Sequence, residues 1–292
     1  MQDFDNRAAV VTGAASGIGK ALVKAFLRQG ARVMATDVEA PALEDTAQEL
    51  AAAGGTLRTR VTDVRDPKAV EALADEVFRE FGACHVLCNN AGVGIPNLNV
   101  WETEPSDWEW AYGVNVHGVV NGIRAFVPRM IASGEEGLVV NTSSGDGGIA
   151  PLADQCVYAS SKAAVSILTE CLHAQLAAEG TKLRAAILYP SGGVLNTGIW
   201  TTARNRPADL ARNQAAPEGS EVGFEAFMDM METVGMEVHV QDLDELAEHA
   251  LAGMKRDDFV IMIDRESMQA TLEARAQKLA GGVCPTDKRF GH

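Results

Sequence analysis

The sequence predicts an α/β fold: a three-layer, doubly wound parallel sheet of about seven strands. Three observations predict it. Short apolar runs alternate with helical patterns, several of these runs are apolar on both faces, and a glycine-rich turn follows the first run. Strands that helices cover on both sides need apolar residues on both faces. The predicted strands are Ala8–Thr12, Arg32–Thr36, Leu57–Val61, His85–Cys88, Leu138–Thr142, Leu183–Leu188 and Phe259–Ile263.

Helix signals fill the intervals between these runs. Apolar residues recur at helical spacing after the glycine-rich turn, and capping side chains precede two later segments. The capping signals are Asp66 before Pro67, and a capping-box pattern of Ser106 with Glu109. The predicted helices are Ile18–Gly30, one opened by Asp66, a long one over Asp107–Met130, one from Asp244 onward and Glu266–Leu279.

The chain has 292 residues, and no linker, repeat or low-complexity tract divides it. Residues 1–292 are therefore predicted to form a single domain. Residues 191–240 depart from the alternation of predicted strands and helices, and they are rich in Gly, Pro, Asn and Met. A segment of this length is too long for a bare connection, so we predict a helical, mobile lid insert over a site. Residues 281–292 are predicted to be a flexible or interface C-terminal tail.

Composition excludes several classes of protein. The chain has 25 Lys and Arg against 40 Asp and Glu, a net charge of −15, which argues against a nucleic-acid partner. Five cysteines without a CxxC pair fit free thiols in a reducing compartment. We find no signal-peptide pattern and no bilayer-length apolar stretch, so a cytoplasmic location without membrane contact is expected. The six histidines are scattered, and no metal site is predicted.

A glycine-rich turn follows the first predicted strand and opens the first predicted helix. From Thr12 to Gly19 it reads Thr-Gly-Ala-Ala-Ser-Gly-Ile-Gly. Glycines let the backbone approach a pyrophosphate, and a helix N-terminus offers unpaired N–H groups and a partial positive charge. A tight connection is the plain alternative, but the strand–turn–helix context favours a Rossmann-type dinucleotide site. Its candidate residues are Gly13, Ser16, Gly17, Ile18 and Gly19.

Acidic residues after the next two strands indicate how the adenosine half would be bound. At the end of the second strand, the Asp37 carboxylate can accept both ribose hydroxyls and would repel a 2′-phosphate, which favours NAD over NADP. Helix capping is the alternative for Asp37, and the nearby cations Lys20 and Arg32 leave NADP use open. Asp63 and Val64 follow the third strand as candidate adenine contacts, although capping by Asp63 fits nearly as well.

Tyr158 and Lys162 stand at i and i+4 on one helix face. A cation held near 4 Å at an effective dielectric of about 20 contributes on the order of 4 kcal/mol, or about three pKa units. That would lower the pKa of the phenol to about 7, where general acid–base transfer works best. Among the three tyrosines of the chain, this one alone has a lysine at the fourth position. A solvated helix pair is the alternative.

Two further polar positions are candidates. Ser144 ends the run Asn-Thr-Ser-Ser at the carboxyl end of the fifth strand, where a hydroxyl can hydrogen-bond a reacting alcohol or ketone oxygen. A polar strand terminus is the alternative there. Asn115 sits in mid-helix, where asparagine is unfavourable. It indicates either a functional kink that holds a water or an exposed neutral position.

Together these residues resemble the short-chain dehydrogenase/reductase family. The matching motifs follow the family's order over residues 8–200: Thr12–Gly19, Asp63-Val64, Asn89-Asn90-Ala91-Gly92, Asn115, Ser143-Ser144 and Tyr158-x-x-x-Lys162. The run 126–133 and the long insert are similar to a branch that includes benzylic (Cα) alcohol dehydrogenases of lignin-type aryl ethers.

The resemblance implies roles for the matching residues. Tyr158 would be the acid/base and Ser144 would orient the substrate oxygen. Lys162 would bind the nicotinamide ribose and lower the pKa of the phenol, and Asn115 would carry a water relay. Further cofactor contacts are implied for Asn90, Ala91, Gly92, Pro190 and Thr197. A homodimer or homotetramer built on the helices that carry Asn115 and Tyr158 is also implied.

The chain departs from the family pattern at two places. Ser191 replaces the usual glycine after Pro190, and the candidate Thr197 comes about two places late. Ser144 lies fourteen residues before Tyr158, one more than the common spacing, so that Ser143 competes for the same role.

The sequence therefore predicts an NAD-dependent oxidoreductase that interconverts a secondary alcohol and a ketone by hydride transfer, with a tyrosine as general acid/base. Methionines and Trp200 in the lid insert suit a bulky apolar or aromatic small-molecule substrate. Two alternatives stay open: a redox-neutral epimerase or dehydratase on the same scaffold, and a non-catalytic NAD(H)-binding protein.

Overall fold

Seven parallel strands form one sheet in a computed structural model that describes residues 1–286. The strands are β1 (Ala8–Thr12), β2 (Arg32–Asp37), β3 (Thr56–Val61), β4 (Val86–Asn89), β5 (Gly137–Thr142), β6 (Leu183–Leu188) and β7 (Val260–Ile261). Their order in the sheet is β3-β2-β1-β4-β5-β6-β7.

The described part of the chain forms nine α-helices, and they connect or follow the strands. They are α1 (Gly17–Arg28), α2 (Ala40–Glu49), α3 (Pro67–Phe81), α4 (Pro105–Tyr112), α5 (Gly118–Ser133), α6 (Cys156–Ala178), α7 (Phe224–Thr233), α8 (Leu243–Lys255) and α9 (Arg265–Ala280). As predicted, the Asp66 carboxylate caps α3, where it accepts a hydrogen bond from the Lys68 N–H at 2.9 Å.

Helices cover both faces of the sheet because its strands are apolar on both sides. Along β1, Ala9 and Val11 belong to the core under α1 and α8. The alternate residues Ala8 and Val10 belong to a second core under α3, α5 and α6. The alternation follows from the period of two in a strand, which sends successive side chains to opposite faces. The predicted three-layer, doubly wound α/β fold is confirmed.

The sheet has a switch point between β1 and β4. From β1 the chain winds outward to β2 and β3 on one side, and it then returns to build β4 to β7 on the other side. Loops that leave neighbouring strands at such a point diverge and leave a crevice at the carboxyl ends. The glycine-rich turn after β1 and the segment Asn90–Gly92 after β4 flank this crevice.

The long predicted helix Asp107–Met130 is not continuous. It is divided into α4 and α5 by a π-helical turn over Gly113–His117. The predicted capping box of Ser106 and Glu109 is wrong because α4 begins at Pro105, where the Glu104 N–H donates to the Asp107 carboxylate at 2.8 Å.

The last strand is shorter than the predicted Phe259–Ile263. β7 contains only Val260 and Ile261, which pair with Ile187 and Leu188 of β6. It is an edge strand with one neighbour, so its extent is set by that pairing and not by its apolar run.

Residues 191–240 form an insert between β6 and α8. It contains a 3₁₀ segment (Gly198–Asn205), a 3₁₀ turn (Ala208–Leu210) and α7. Its two ends meet where Val194 pairs with Val240. The helical content agrees with the sequence, whereas action as a mobile lid stays a prediction.

The predicted tail 281–292 lies outside the described residues from residue 287 onward, and the preceding residues form turns after α9. Within residues 1–286, none of the helices has both the length and the apolar character that crossing a bilayer requires.

Candidate active site

The glycine-rich turn brings the start of α1 against the end of β1. Gly13 has a positive φ of 67°, which a residue with a side chain adopts only with strain. A Cβ built at Gly19 would lie 2.0 Å from the Gly13 carbonyl oxygen, so the close approach requires glycine there. Ser16 is the N-cap of α1, yet its hydroxyl makes no capping hydrogen bond. The turn thus presents free donors at a helix N-terminus, which fits a dinucleotide pyrophosphate.

Thr12 ties this turn to the loop after β4. Its hydroxyl oxygen accepts hydrogen bonds from the N–H groups of Asn90 at 2.9 Å and Ala91 at 3.0 Å. The Asn90 amide donates to the Thr12 carbonyl at 3.0 Å and accepts from the Thr142 hydroxyl at 3.2 Å. No role beyond the motif is predicted for Thr12 from the sequence, and its place in the glycine-rich motif is the only local signal.

Asp37 lies at the end of β2, where its carboxylate accepts from the N–H groups of Ala15 and Glu39, both at 3.0 Å. The second of these bonds orders the chain before α2, whose N-cap is Glu39, so Asp37 does not cap that helix itself. The carboxylate is only half-buried and adjoins the glycine-rich turn. This is the position from which ribose hydroxyls can be accepted.

Lys20 and Arg32, the two cations that left NADP use open, are both engaged with other groups. Lys20 pairs with Glu49 on α2. The Arg32 guanidinium donates to the Phe81 carbonyl at 2.8 Å, and it lies at the start of β2, at the opposite end of the strand from Asp37.

Asp63 is engaged in a turn. Its carboxylate accepts from the backbone N–H of Arg65 at 2.9 Å and from the guanidinium of the same residue at 2.7 Å. Burial opposes ionisation, but the hydrogen bonds from Arg65 hold the pKa of Asp63 below its usual range. Val64 is buried beside Gly118 of α5. Asp66, and not Asp63, caps α3.

Tyr158 and Ser144 meet at the carboxyl end of the sheet. The Ser144 hydroxyl is close enough to the phenol to lower the pKa of Tyr158, which is on the first turn of α6. The same hydroxyl accepts a hydrogen bond from the Asp146 N–H at 3.2 Å. The competing Ser143 hydroxyl is buried and turned into the protein, where it donates to the Lys162 carbonyl at 2.9 Å and contacts the Ser166 hydroxyl at 2.8 Å. The geometry therefore favours Ser144 over Ser143 as the partner of the phenol.

Lys162 is almost completely buried, and its ammonium donates to the Thr142 carbonyl at 2.9 Å. Burial lowers the pKa of Lys162 to about 8. A Cβ built at Gly92 would lie 3.2 Å from the Lys162 Nζ. Glycine at this position therefore leaves the ammonium facing the loop after β4, with donor capacity beyond Thr142.

The prediction that Lys162 brings the pKa of Tyr158 to about 7 is wrong for the groups that the protein itself supplies. The pKa of Tyr158 is raised to about 12, because the upward effects of burial and of the negative charge of Asp146 exceed the downward effect of the Ser144 hydroxyl. The Lys162 ammonium lies over the Tyr158 ring, 5.8 Å from its centroid. Desolvation of the phenolate therefore exceeds the attraction of the cation.

Asn115 lies inside the π-helical turn and is 1% exposed, so the exposed alternative is wrong. Its amide oxygen accepts from the Val93 N–H at 2.8 Å, and its amide nitrogen donates to the Val93 carbonyl at 3.0 Å and to the Ser161 hydroxyl at 2.9 Å. The side chain thereby fixes the loop after β4 against α6. π-Helical turns are frequent at functional sites, in agreement with the predicted kink.

The sequence-predicted residues after β6 reach the same crevice. Pro190 directly follows Tyr189 at the carboxyl end of the strand. Thr197 is the N-cap of the 3₁₀ segment Gly198–Asn205, and its side chain lies against Gly17, where a built Cβ would be 3.0 Å from the Thr197 Cβ. The insert therefore passes over the start of α1.

Charged residues that sequence reasoning missed attach the insert to α4. The Asp107 carboxylate is completely buried and pairs with Arg206 at 2.7 Å and with Arg212. The Arg206 guanidinium also stacks over the Trp110 ring, 5.1 Å from its centroid. These partners are about a hundred residues from Asp107 in the sequence, so no local pattern indicates the ion pairs. Once Asp107 is known to be buried, a cationic partner is expected, because a fully buried Asp is rarely unpaired.

Comparison with known proteins agrees with this geometry. A family model described as short chain dehydrogenase matches residues 7–208. The chain is 31% identical over 292 residues to the C alpha-dehydrogenase of Sphingobium sp. strain SYK-6, a match that covers 98% of this chain and 90% of that protein. The predicted resemblance, including the branch with Cα alcohol dehydrogenases, is confirmed.

Two further matches differ in coverage. A short chain dehydrogenase/reductase from Burkholderia phymatum, solved in complex with NAD, superposes with a TM-score of 0.87 at 34% identity and covers 98% of this chain and 99% of that one. "Probable oxidoreductase EphD" of Mycobacterium tuberculosis is 40% identical over 199 residues, or 68% of this chain. The chain spans only 33% of the length of that relative.

Proposed function

The chain belongs to the short-chain dehydrogenase family, and from this premise we propose that it is an NAD(H)-dependent oxidoreductase that interconverts a secondary alcohol and a ketone. One observation carries the proposal. The Ser144 hydroxyl lies beside the Tyr158 phenol, and Tyr158 is one helical turn before the buried Lys162, at the edge of the sheet where the glycine-rich turn also lies.

Tyr158 would move the proton. In alcohol oxidation its oxygen accepts the hydroxyl proton of the substrate, and in ketone reduction its phenol donates a proton to the carbonyl oxygen. The Ser144 hydroxyl would donate a hydrogen bond to that oxygen, which gains negative charge along the reaction. Bound NAD⁺ supplies the acceptor for the hydride of the carbinol C–H bond, and NADH returns it in the reverse reaction.

The pKa values of the two buried groups define the role of Lys162. With its pKa raised to about 12, the Tyr158 phenol stays protonated at neutral pH and is ready to act as a donor. Oxidation needs the phenolate, which a neighbouring cation favours. Lys162, with its pKa lowered to about 8, is still largely charged at pH 7 and supplies that cation.

NAD is the proposed cofactor, held along the crevice from Asp37 to Lys162. The Asp37 carboxylate would accept the ribose hydroxyls, and a 2′-phosphate there would meet its negative charge without a cation from Lys20 or Arg32. The NAD complex of the Burkholderia phymatum relative supports this choice. Asp63 would contact the adenine through its carboxylate, which is already hydrogen-bonded to the Arg65 guanidinium.

A bulky aromatic substrate is supported by the composition of the insert. The Trp200 ring lies 5.2 Å from the Phe227 ring and 5.8 Å from the Phe224 ring, centroid to centroid, and four methionines are on or just after α7. The insert contacts the loop after β4, where the Gly94 N–H and the Thr202 hydroxyl are 3.2 Å apart. The similarity to a C alpha-dehydrogenase points to secondary benzylic alcohols.

The test is a screen of secondary alcohols with NAD⁺ and of the matching ketones with NADH, followed by NADH fluorescence. We expect turnover with benzylic alcohols and aryl ketones, and a higher kcat/KM with NAD⁺ than with NADP⁺. Tight NADH binding without net formation or consumption of NADH on any pair would contradict the proposal and favour a redox-neutral or non-catalytic protein.

A further inference from the structure

Within residues 1–286, two hydrogen-bond donors without acceptors flank Gly198, the first residue of the 3₁₀ segment of the insert. The Ser16 hydroxyl makes no hydrogen bond to any described residue. A Cβ built at Gly198 would lie 2.9 Å from the Ser16 Oγ and 2.9 Å from the Arg204 Nη2. The guanidinium of the insert and the N-cap hydroxyl of α1 thus face the same small space, which the absence of a side chain at Gly198 leaves open.

Arg204 is fixed in this position by five other contacts. Its Nη1 donates to the Gly198 carbonyl at 2.9 Å and to the Thr201 carbonyl and hydroxyl, both at 2.8 Å. Its Nε and Nη2 donate to the two oxygens of the Glu39 carboxylate at 3.0 and 2.6 Å. A guanidinium has five N–H donors, so one Nη2 hydrogen has no acceptor among the described residues.

The position of Glu39 relates this contact to the adenosine end of the crevice. Glu39 is the N-cap of α2, two residues after Asp37. The bidentate pair with Arg204 therefore joins the insert to the chain beside the proposed ribose contact. The Arg204 side chain is 38% exposed, so the protein does not enclose it.

We infer that Arg204 is a cofactor-binding residue that the insert contributes, and that its guanidinium binds the diphosphate of the dinucleotide together with Ser16 and the N-terminus of α1. A diphosphate carries the oxygen acceptors that these free donors lack. Glu39 is the positioning residue, because it holds the guanidinium fork in a fixed orientation. The inference rests on the proposed NAD(H) function and adds a residue outside the glycine-rich motif.

Binding measurements on the full chain test the inference without reference to turnover. NADH affinity is measured by fluorescence, and ADP and adenosine are measured by competition, for the parent, Arg204→Ala and Arg79→Ala. Arg79 is an exposed arginine paired with its neighbour Glu80, so its removal makes the same charge change away from the crevice. We expect Arg204→Ala to weaken NADH and ADP about tenfold or more and adenosine by less than about twofold, with Arg79→Ala near the parent.

Glu39→Ala distinguishes two roles of Arg204: binding of the diphosphate, and a purely structural ion pair between the insert and α2. It removes the anchor but keeps the guanidinium, so it is expected to retain the preference for ADP over adenosine that Arg204→Ala loses. Equal losses for all three ligands in both variants would overturn the inference, and so would an unchanged NADH affinity in Arg204→Ala. NADPH affinity is measured in the same way as NADH affinity, and a loss confined to NADPH would also overturn the inference, since the guanidinium would then bind a 2′-phosphate. A parent chain that fails to bind NADH would instead contradict the proposed function.

Discussion

Single residues at the site owe their chemistry to burial. Lys162 is buried and Tyr158 is partly buried, and burial shifts both pKa values toward the neutral forms: the phenol upward and the ammonium downward. Tyr158 and Lys162 could be recognised from their spacing, because i and i+4 share a helix face. Their protonation could not, because it depends on desolvation by residues distant in the sequence.

Ser144 and Ser143 offer a matched pair. Ser144→Ala removes the hydroxyl beside Tyr158, so kcat is expected to fall by about 10²–10³-fold with little change in stability. Ser143→Ala removes buried hydrogen bonds to Lys162 and Ser166, so the free energy of unfolding is expected to fall by about 1 kcal/mol with a smaller effect on kcat. Steady-state kinetics and urea denaturation measure both, and the reverse pattern would assign the role to Ser143.

The burial of Lys162 predicts a pH dependence of stability. Between its native pKa of about 8 and its ordinary value of 10.5, the unfolded chain holds a proton at this residue that the native chain has released. Stability therefore rises with pH across this window, by up to about 3 kcal/mol from this one group.

Lys162→Met removes the titrating group. The variant also loses the hydrogen bond to the Thr142 carbonyl, but we expect that loss to be the same at every pH. The unfolding free energy of the parent minus that of Lys162→Met should increase between pH 7 and pH 10, as urea denaturation at each pH would show. A constant difference would mean that Lys162 keeps its ordinary pKa in the folded protein.

Secondary-structure elements were predicted best where their signals are local. β1 to β6 agree with the sequence within about two residues at each end, because apolar runs and alternation are properties of the strand itself. The π-helical turn at Gly113–His117 could not be read from periodicity, since it follows from the contacts of Asn115 with Val93 and Ser161. The insert was predicted by length and composition, whereas its attachment through Asp107 required the fold.

The attachment of the insert to α4 depends on Asp107. Asp107→Ala leaves the Arg206 guanidinium without a carboxylate and leaves Arg212 only the Glu104 carboxylate at 3.8 Å, in a mostly buried environment, so the free energy of unfolding should fall by about 3 kcal/mol. Hydrogen exchange should become faster across residues 198–233 before it does in the sheet.

The control is Asp258→Ala, which breaks an ion pair with the half-exposed Arg256 and should cost less than about 1 kcal/mol. If exchange in the insert of Asp107→Ala matches that of the parent, the buried pair does not hold the insert.

The whole molecule is expected to be a homodimer or homotetramer, a prediction that rests on the family resemblance. The helices named for the interface include α6, whose outer face exposes Ile167 at 60% and the Cys171 thiol. A second subunit packed on this face would cover the Ile167 side chain.

Sedimentation equilibrium tests the assembly. The parent should show two or four times the mass of one chain, and Ile167→Lys should shift the equilibrium toward the monomer because it places a charge in an apolar contact. Val234→Lys, an equally exposed position in the insert, is the control and should leave the assembly unchanged. A parent that sediments as a monomer at micromolar concentration would refute the prediction.

At the scale of the whole molecule, the proposed function depends on one proton-transfer group, Tyr158, at the start of α6. The most direct measurement compares Tyr158→Phe with Tyr112→Phe, which loses the same atom from a tyrosine outside the site, by turnover of the best alcohol and by NADH affinity. We predict that Tyr158→Phe loses about 10²–10⁴-fold in kcat or more with NADH affinity within about twofold, while Tyr112→Phe resembles the parent. Full turnover by Tyr158→Phe would contradict the account.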